Sequence, residues 1–179
     1  MKRKTFLKRA AGFAGLPVVS LSGANPEADR IRQELLDAWR SSEKVSLATA
    51  EQMPESGYNF RYTPEAMTFA EQWRHCILYT IGQLQADFEQ PNLYAGKRLP
   101  LDMTKAQVLT ELPRMYAHVR RAIETIPAEK LLATVEYGEH KMPGWRLLYV
   151  LENHIIHHRG QCVVYLRLKG IPPESYYGW

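Results

Sequence analysis

Cysteine is scarce in this chain. Its 179 residues hold two, Cys76 and Cys162, which excludes a disulfide framework. Both fall within predicted helices, where the Cβ geometry for a bridge is rarely met, so buried free thiols are expected. No apolar run reaches the roughly 18 residues that a membrane-spanning helix needs. Internal repeats, low-complexity tracts and long linkers are absent, and strand signals are confined to Leu132–Tyr137. Acidic residues are missing from positions 1–24, which carry Lys2, Arg3, Lys4, Lys8 and Arg9. Those five residues account for the net charge of +4: without them 18 Lys and Arg face 19 Asp and Glu. The near-neutral body offers no net attraction for nucleic acid.

The basic start precedes an apolar stretch, Ala10 to Leu21, and then Ser22-Gly23-Ala24, a small-x-small cleavage pattern. Residues 1–24 therefore read as an export signal. A periplasmic or other extracytoplasmic location follows if the segment works, and a cytoplasmic one otherwise. Arg3-Lys4-Thr5-Phe6-Leu7-Lys8 resembles a twin-arginine motif, with Lys4 where the second arginine should stand.

From residue 25 onward the hydrophobic period is helical. The pattern predicts helices over Pro26–Ala50, from Pro64 or Thr68 to Phe88, over Lys105–Ile126 and over Pro143–Lys169. Thr104 is placed as an N-cap, Pro113 as a site of weakening or kinking, and Gly170 before Pro172-Pro173 as the final stop. The expected fold is all-α, a four-helix bundle spanning residues 25–179.

The chemistry concentrates in His154-Ile155-Ile156-His157-His158-Arg159-Gly160-Gln161. On a helix His158 lies about 40° from His154, Gln161 about 20° away on the other side, and His157 about 60° away at the margin. His154 and His158, one turn apart on one face, can grip one metal ion. The zinc-protease signature needs a glutamate directly after the first histidine, and Ile155 stands there. A third ligand has to come from another helix. His75, within the apolar face of Trp73, Ile77 and Ile81, is the best candidate, and His118, beside Arg114, Arg120 and Arg121, is its competitor. His140 sits in a polar stretch and is expected at the surface. Glu71 and Tyr79 flank His75 at i−4 and i+4 and, with Gln161, are candidates for orienting the ligand rings. Gly160 is read as permitting close helix packing, Arg159 and Arg167 as structural ion-pairing residues with contact to a substrate anion as the alternative, and Cys162 as core.

Three stretches carry a family resemblance. They are Met53-Pro54-Glu55 through Tyr58-Asn59-Phe60-Arg61 and Pro64-Glu65; Thr68-Phe69-Ala70-Glu71 through His75; and His154 through Gln161 with Tyr165-Leu166-Arg167 and Gly170-Ile171-Pro172-Pro173. Together they resemble the DinB-like superfamily of four-helix bundles with a three-histidine metal site. The resemblance spans roughly residues 27–179 and implies His75, His154 and His158 as ligands, with His157 outside the set. Three imidazoles suit a divalent ion, zinc or nickel first and iron or manganese as alternatives. A homodimer is implied as well, as is a metal-dependent transferase or hydrolase acting on a small molecule with a low-molecular-weight thiol as partner. A metal-stabilised helical protein that binds a ligand or partner without chemistry is the alternative. The aromatic tail Tyr176-Tyr177-Gly178-Trp179 would suit a contact surface.

Overall fold

The structure, a computed structural model, describes residues 25–175. Both the signal-like segment 1–24 and the aromatic tail 176–179 lie outside the described residues. Among the described residues, five α-helices, a single 3-10 turn at Glu55–Gly57 and one hairpin make up the fold: α1 Pro26–Gln52, α2 Phe69–Phe88, α3 Lys105–Thr125, the short α4 Ala128–Leu132, β1 Thr134–Tyr137, β2 His140–Pro143 and α5 Gly144–Leu168.

Local chemistry sets the helix ends. Asn25 caps α1 by accepting from the Ala28 N–H at 3.1 Å, and Pro26 occupies the first turn, where its missing N–H costs nothing. Thr68 and Thr104 open α2 and α3 through reciprocal capping boxes with Glu71 and Gln107. The last turn of α5 closes on Gly170, at φ +74°. Gly170 N–H donates to Arg167 O, and Ile171 N–H to Leu166 O, each at 2.9 Å; this 5→2 and 6→1 pair needs a left-handed residue, hence glycine. α3 runs through Pro113 from Lys105 to Thr125, close to the predicted span.

The long helices pack with α1 against α3 and α5, and α2 against the same two. One apolar core results, with Trp39, Tyr58, Phe69, Trp73, Tyr116 and Tyr165 all buried. Trp39 meets Tyr116 edge-on at 5.8 Å. A polar thread runs through this core: Tyr116 OH is 2.8 Å from Ser46 Oγ, and Arg159 Nη1 donates to Ser42 O and Ser46 Oγ, each at 3.3 Å. Arg159 thus stabilises the α1–α5 contact through hydroxyls and a carbonyl, where an ion pair was expected. Glu152 is buried in the same thread, and burial pushes its carboxyl up while Ser42 and Arg159 pull the other way.

The hairpin and α4 go beyond the predicted helices. The candidate strand becomes β1, and it pairs antiparallel with β2 from Thr134↔Pro143 to Tyr137↔His140 around the turn Gly138-Glu139. Short α4 leads into it. A Cβ on Gly144 would sit 2.6 Å from Lys130 O, so only glycine lets α5 start so close to α4. Gly160 behaves otherwise: a Cβ there would meet nothing within 4 Å, which removes the expected role in close packing.

Candidate metal centre

α2 and α5 lie side by side, and their histidines meet. His75 Nε2 and His158 Nε2 are each 3.1 Å from His154 Nε2, and the ligand atoms of all three lie within 4.8 Å of one another. His75 and His154 are half-buried and His158 is buried, so the cluster sits at the edge of the core with one side toward solvent. His157 is exposed and outside the group. The competitor His118 is also outside it, on α3, and His140 is exposed.

Hydrogen bonding fixes the protonation of one ring. Tyr165 O–H donates to Met67 O at 2.6 Å, because a carbonyl can only accept. The tyrosine oxygen is then left to accept from Gln72 Nε2, 3.4 Å away. That turns Gln72 Oε1 toward His158 Nδ1, so Nδ1 must carry the proton. His158 Nε2 therefore presents a lone pair to the cluster. Burial is also the leading cause that lowers the pKa of all three rings, followed by the neighbouring imidazoles for His154 and His158 and by Arg74 for His75. His154 and His158 fall to about 4, so both are neutral at pH 7.

Neutral rings alone do not satisfy this arrangement. His154 Nε2 faces two other ring nitrogens and has a single site, proton or lone pair. Held as a lone pair, it opposes the lone pair of His158. Held as N–H, its one proton serves a single contact and leaves the other 3.1 Å pair without one; the buried Nδ1, which has no partner among the described residues, is unsatisfied in either form. A shared cation lets all three Nε2 atoms present lone pairs. Metal–nitrogen bonds of about 2.0–2.1 Å set about 90–110° apart separate donors by about 2.8–3.4 Å, and the two 3.1 Å contacts fall inside that range. The residues present fit a divalent ion.

A family model described as the DinB superfamily matches residues 26–162. The chain belongs to the DinB superfamily. Two solved structures share the fold of this DinB-superfamily protein. A DinB-like protein from Bacillus cereus superposes with a TM-score of 0.69 at 17% identity, covering 81% of this chain and 97% of that one. A DinB-like protein from Bacillus subtilis gives 0.65 at 18%, covering 80% and 96%. No curated protein matches the sequence.

The residues expected to orient the ligands are placed differently from one another. Tyr79 lies against the cluster, its ring 4.3 Å from that of His154 and 5.7 Å from that of His75. Burial and a hydroxyl bond to Tyr137 push it up to about 12, so it is a neutral phenol. Glu71 is engaged elsewhere: its carboxylate accepts the Thr68 N–H at 2.6 Å and pairs with Arg61 at 3.4 Å. The T-x-x-E pattern of Thr68–Glu71 was visible and accounts for it. Gln161, half-buried, makes no hydrogen bond to the three rings. Gln72 does what was sought from these, and it was missed, although it stands at i−3 from His75 and so on the same helix face.

Proposed function

We propose that this DinB-superfamily protein is a four-helix bundle that binds one divalent metal ion through His75, His154 and His158 and uses it in small-molecule chemistry. The observation that carries this reading is the convergence of three Nε2 atoms, one of them fixed as a lone pair by the Gln72–Tyr165–Met67 chain. Three imidazoles leave coordination positions open, as catalytic sites do, and imidazole suits zinc or nickel first. When bound, such an ion supplies Lewis acidity that makes a water or thiol a nucleophile at neutral pH.

The side chains around the cluster delimit the reaction. Gln72 orients His158 and keeps its metal-facing nitrogen unprotonated. Cys76 follows His75 in sequence, yet it is buried, and burial pushes its thiol far up; Cys162 behaves the same way. Neither supplies a thiolate, so a thiol nucleophile would have to come from solution, which favours a small-molecule thiol as partner. The half-buried rings of His75 and His154 leave one side for it. We assign the protein to thiol-dependent transfer or hydrolysis on this basis. Export is proposed from the basic-apolar segment, since α1 begins with its own cap at Asn25, directly after Ala24; the mature N-terminus of the expressed protein tests it.

Elemental analysis after chelation and reloading tests the site. About one equivalent is expected in the parent and none in a folded triple variant with His75, His154 and His158→Ala. A folded parent without metal overturns the proposal. Stoichiometric metal with no exchangeable position leaves a metal-stabilised helical protein without chemistry.

A further inference from the structure

Two of the three rings have different means of support. His158 is held by a hydrogen bond from its outer nitrogen to Gln72. His154 has no such bond: its Nδ1 is buried without a partner among the described residues. What lies against it is the Tyr79 ring, centroid to centroid 4.3 Å and tilted 35°. Tyr79 comes from α2, one turn beyond His75, and its hydroxyl is bonded to the hydroxyl of Tyr137. Tyr137 is the last residue of β1, at the turn end of the hairpin, opposite His140. The hairpin is anchored in turn: Val135, Tyr137 and Met142 pack on the core, and Gly144 N–H donates to Ala133 O at 2.9 Å. A continuous path of contacts therefore leads from the hairpin tip to His154.

We propose that Tyr137 and Tyr79 are positioning residues for His154, with the β-hairpin serving as the strut that sets this ligand's ring where an outer-nitrogen hydrogen bond is lacking. The inference rests on the three-histidine metal reading and deepens it. It assigns the hairpin, which carries no ligand, a part in the site. Tyr79 acts by its ring face and Tyr137 by its hydroxyl, so the two hydroxyls share one bond, and losing either is equivalent to losing both.

That equivalence is the test. Zinc affinity is measured by competition with a chromophoric chelator, and cobalt(II) absorption bands report the ligand geometry, in the full chain and in Tyr79→Leu, Tyr79→Phe, Tyr137→Phe and the Phe/Phe double variant. Tyr79→Leu should weaken zinc binding about tenfold or more, the range for losing a group that orients a ligand, and shift the cobalt bands. Each single Phe variant should weaken binding a few-fold, and the double variant no further. Should Tyr79→Leu fail to fold, the three Phe variants keep every ring and still decide the question. A purely structural role would lower the melting temperature while leaving affinity and bands at parent values, and would overturn the inference. So would losses that add in the double variant. A parent that takes up no metal overturns the metal reading and this inference with it, whereas a metal-binding parent with unaffected variants overturns this inference alone.

Discussion

Replacing Gln72 with leucine removes the acceptor for His158 Nδ1–H at nearly constant volume, in a side chain only 5% exposed. Two consequences differ in size and in the assay that sees them. In the metal-free protein the Nδ1–H is left buried without a partner, which costs about 1–3 kcal/mol; the weaker 3.4 Å bond to Tyr165 OH goes with it. This should appear as a lower urea midpoint at unchanged slope. In metal binding the ring loses both its orientation and the bias that keeps Nε2 unprotonated. Loss of such an outer partner weakens binding about 10–100-fold, or about 1.4–2.7 kcal/mol. Chelator competition measures it directly. Gln72→Glu keeps an acceptor in place and should bind zinc within a few-fold of the parent or more tightly. A folded Gln72→Leu variant with parental zinc affinity would refute the argument that the Gln72 chain prepares His158 for an ion.

Acidification should act through the same rings. His154 and His158 are lowered to about 4 in the folded protein against about 6.5 unfolded, so between these values the unfolded chain binds more protons. Metal-free stability should therefore fall as pH drops from about 6.5 toward 4, with no further loss from these groups below that. Urea titrations across that interval should show a shallower dependence in the triple histidine variant. Glu71→Ala should cost about 1 kcal/mol by opening the α2 capping box while leaving zinc affinity unchanged; a tenfold loss of affinity would return Glu71 to the site. Gly144→Ala drives a methyl against Lys130 O and should destabilise by about 1–3 kcal/mol, with unaltered thermal stability counting against the close α4–α5 approach.

Much of this molecule can be read from its residues, because the deciding interactions are local. Thr68 and Thr104 cap within three residues, Gly170 closes the last turn, and His154 and His158 share a face by helical period alone. What was not legible depends on distant partners. His-Lys-Met-Pro is a poor strand sequence, and β2 exists because β1 lies beside it. Five residues of α4 are too few to show a period. Gln72 looked like any polar residue on α2 until Tyr165, 93 positions away, turned its amide. Glu71 shows the converse error: the spacing that seemed to aim it at His75 also makes it the partner of Thr68, and the nearer backbone N–H holds it. Arg159 belongs to the same class, since its companions Ser42 and Ser46 become visible only when α1 packs on α5.

The three converging nitrogens come from α2 and α5 alone, and so does the chain of donors that prepares one of them, down to the loop residue Met67 just ahead of α2. α1 packs on α5 and α3 packs on α2, yet neither gives the cluster an atom. The molecule is thereby divided into a pair of helices that carry the histidine cluster and a pair that complete the core. Substitutions on the second pair leave the donor set as it is. On the proposed metal reading, a protein built this way would vary the helices that give no ligand without altering how it holds the ion.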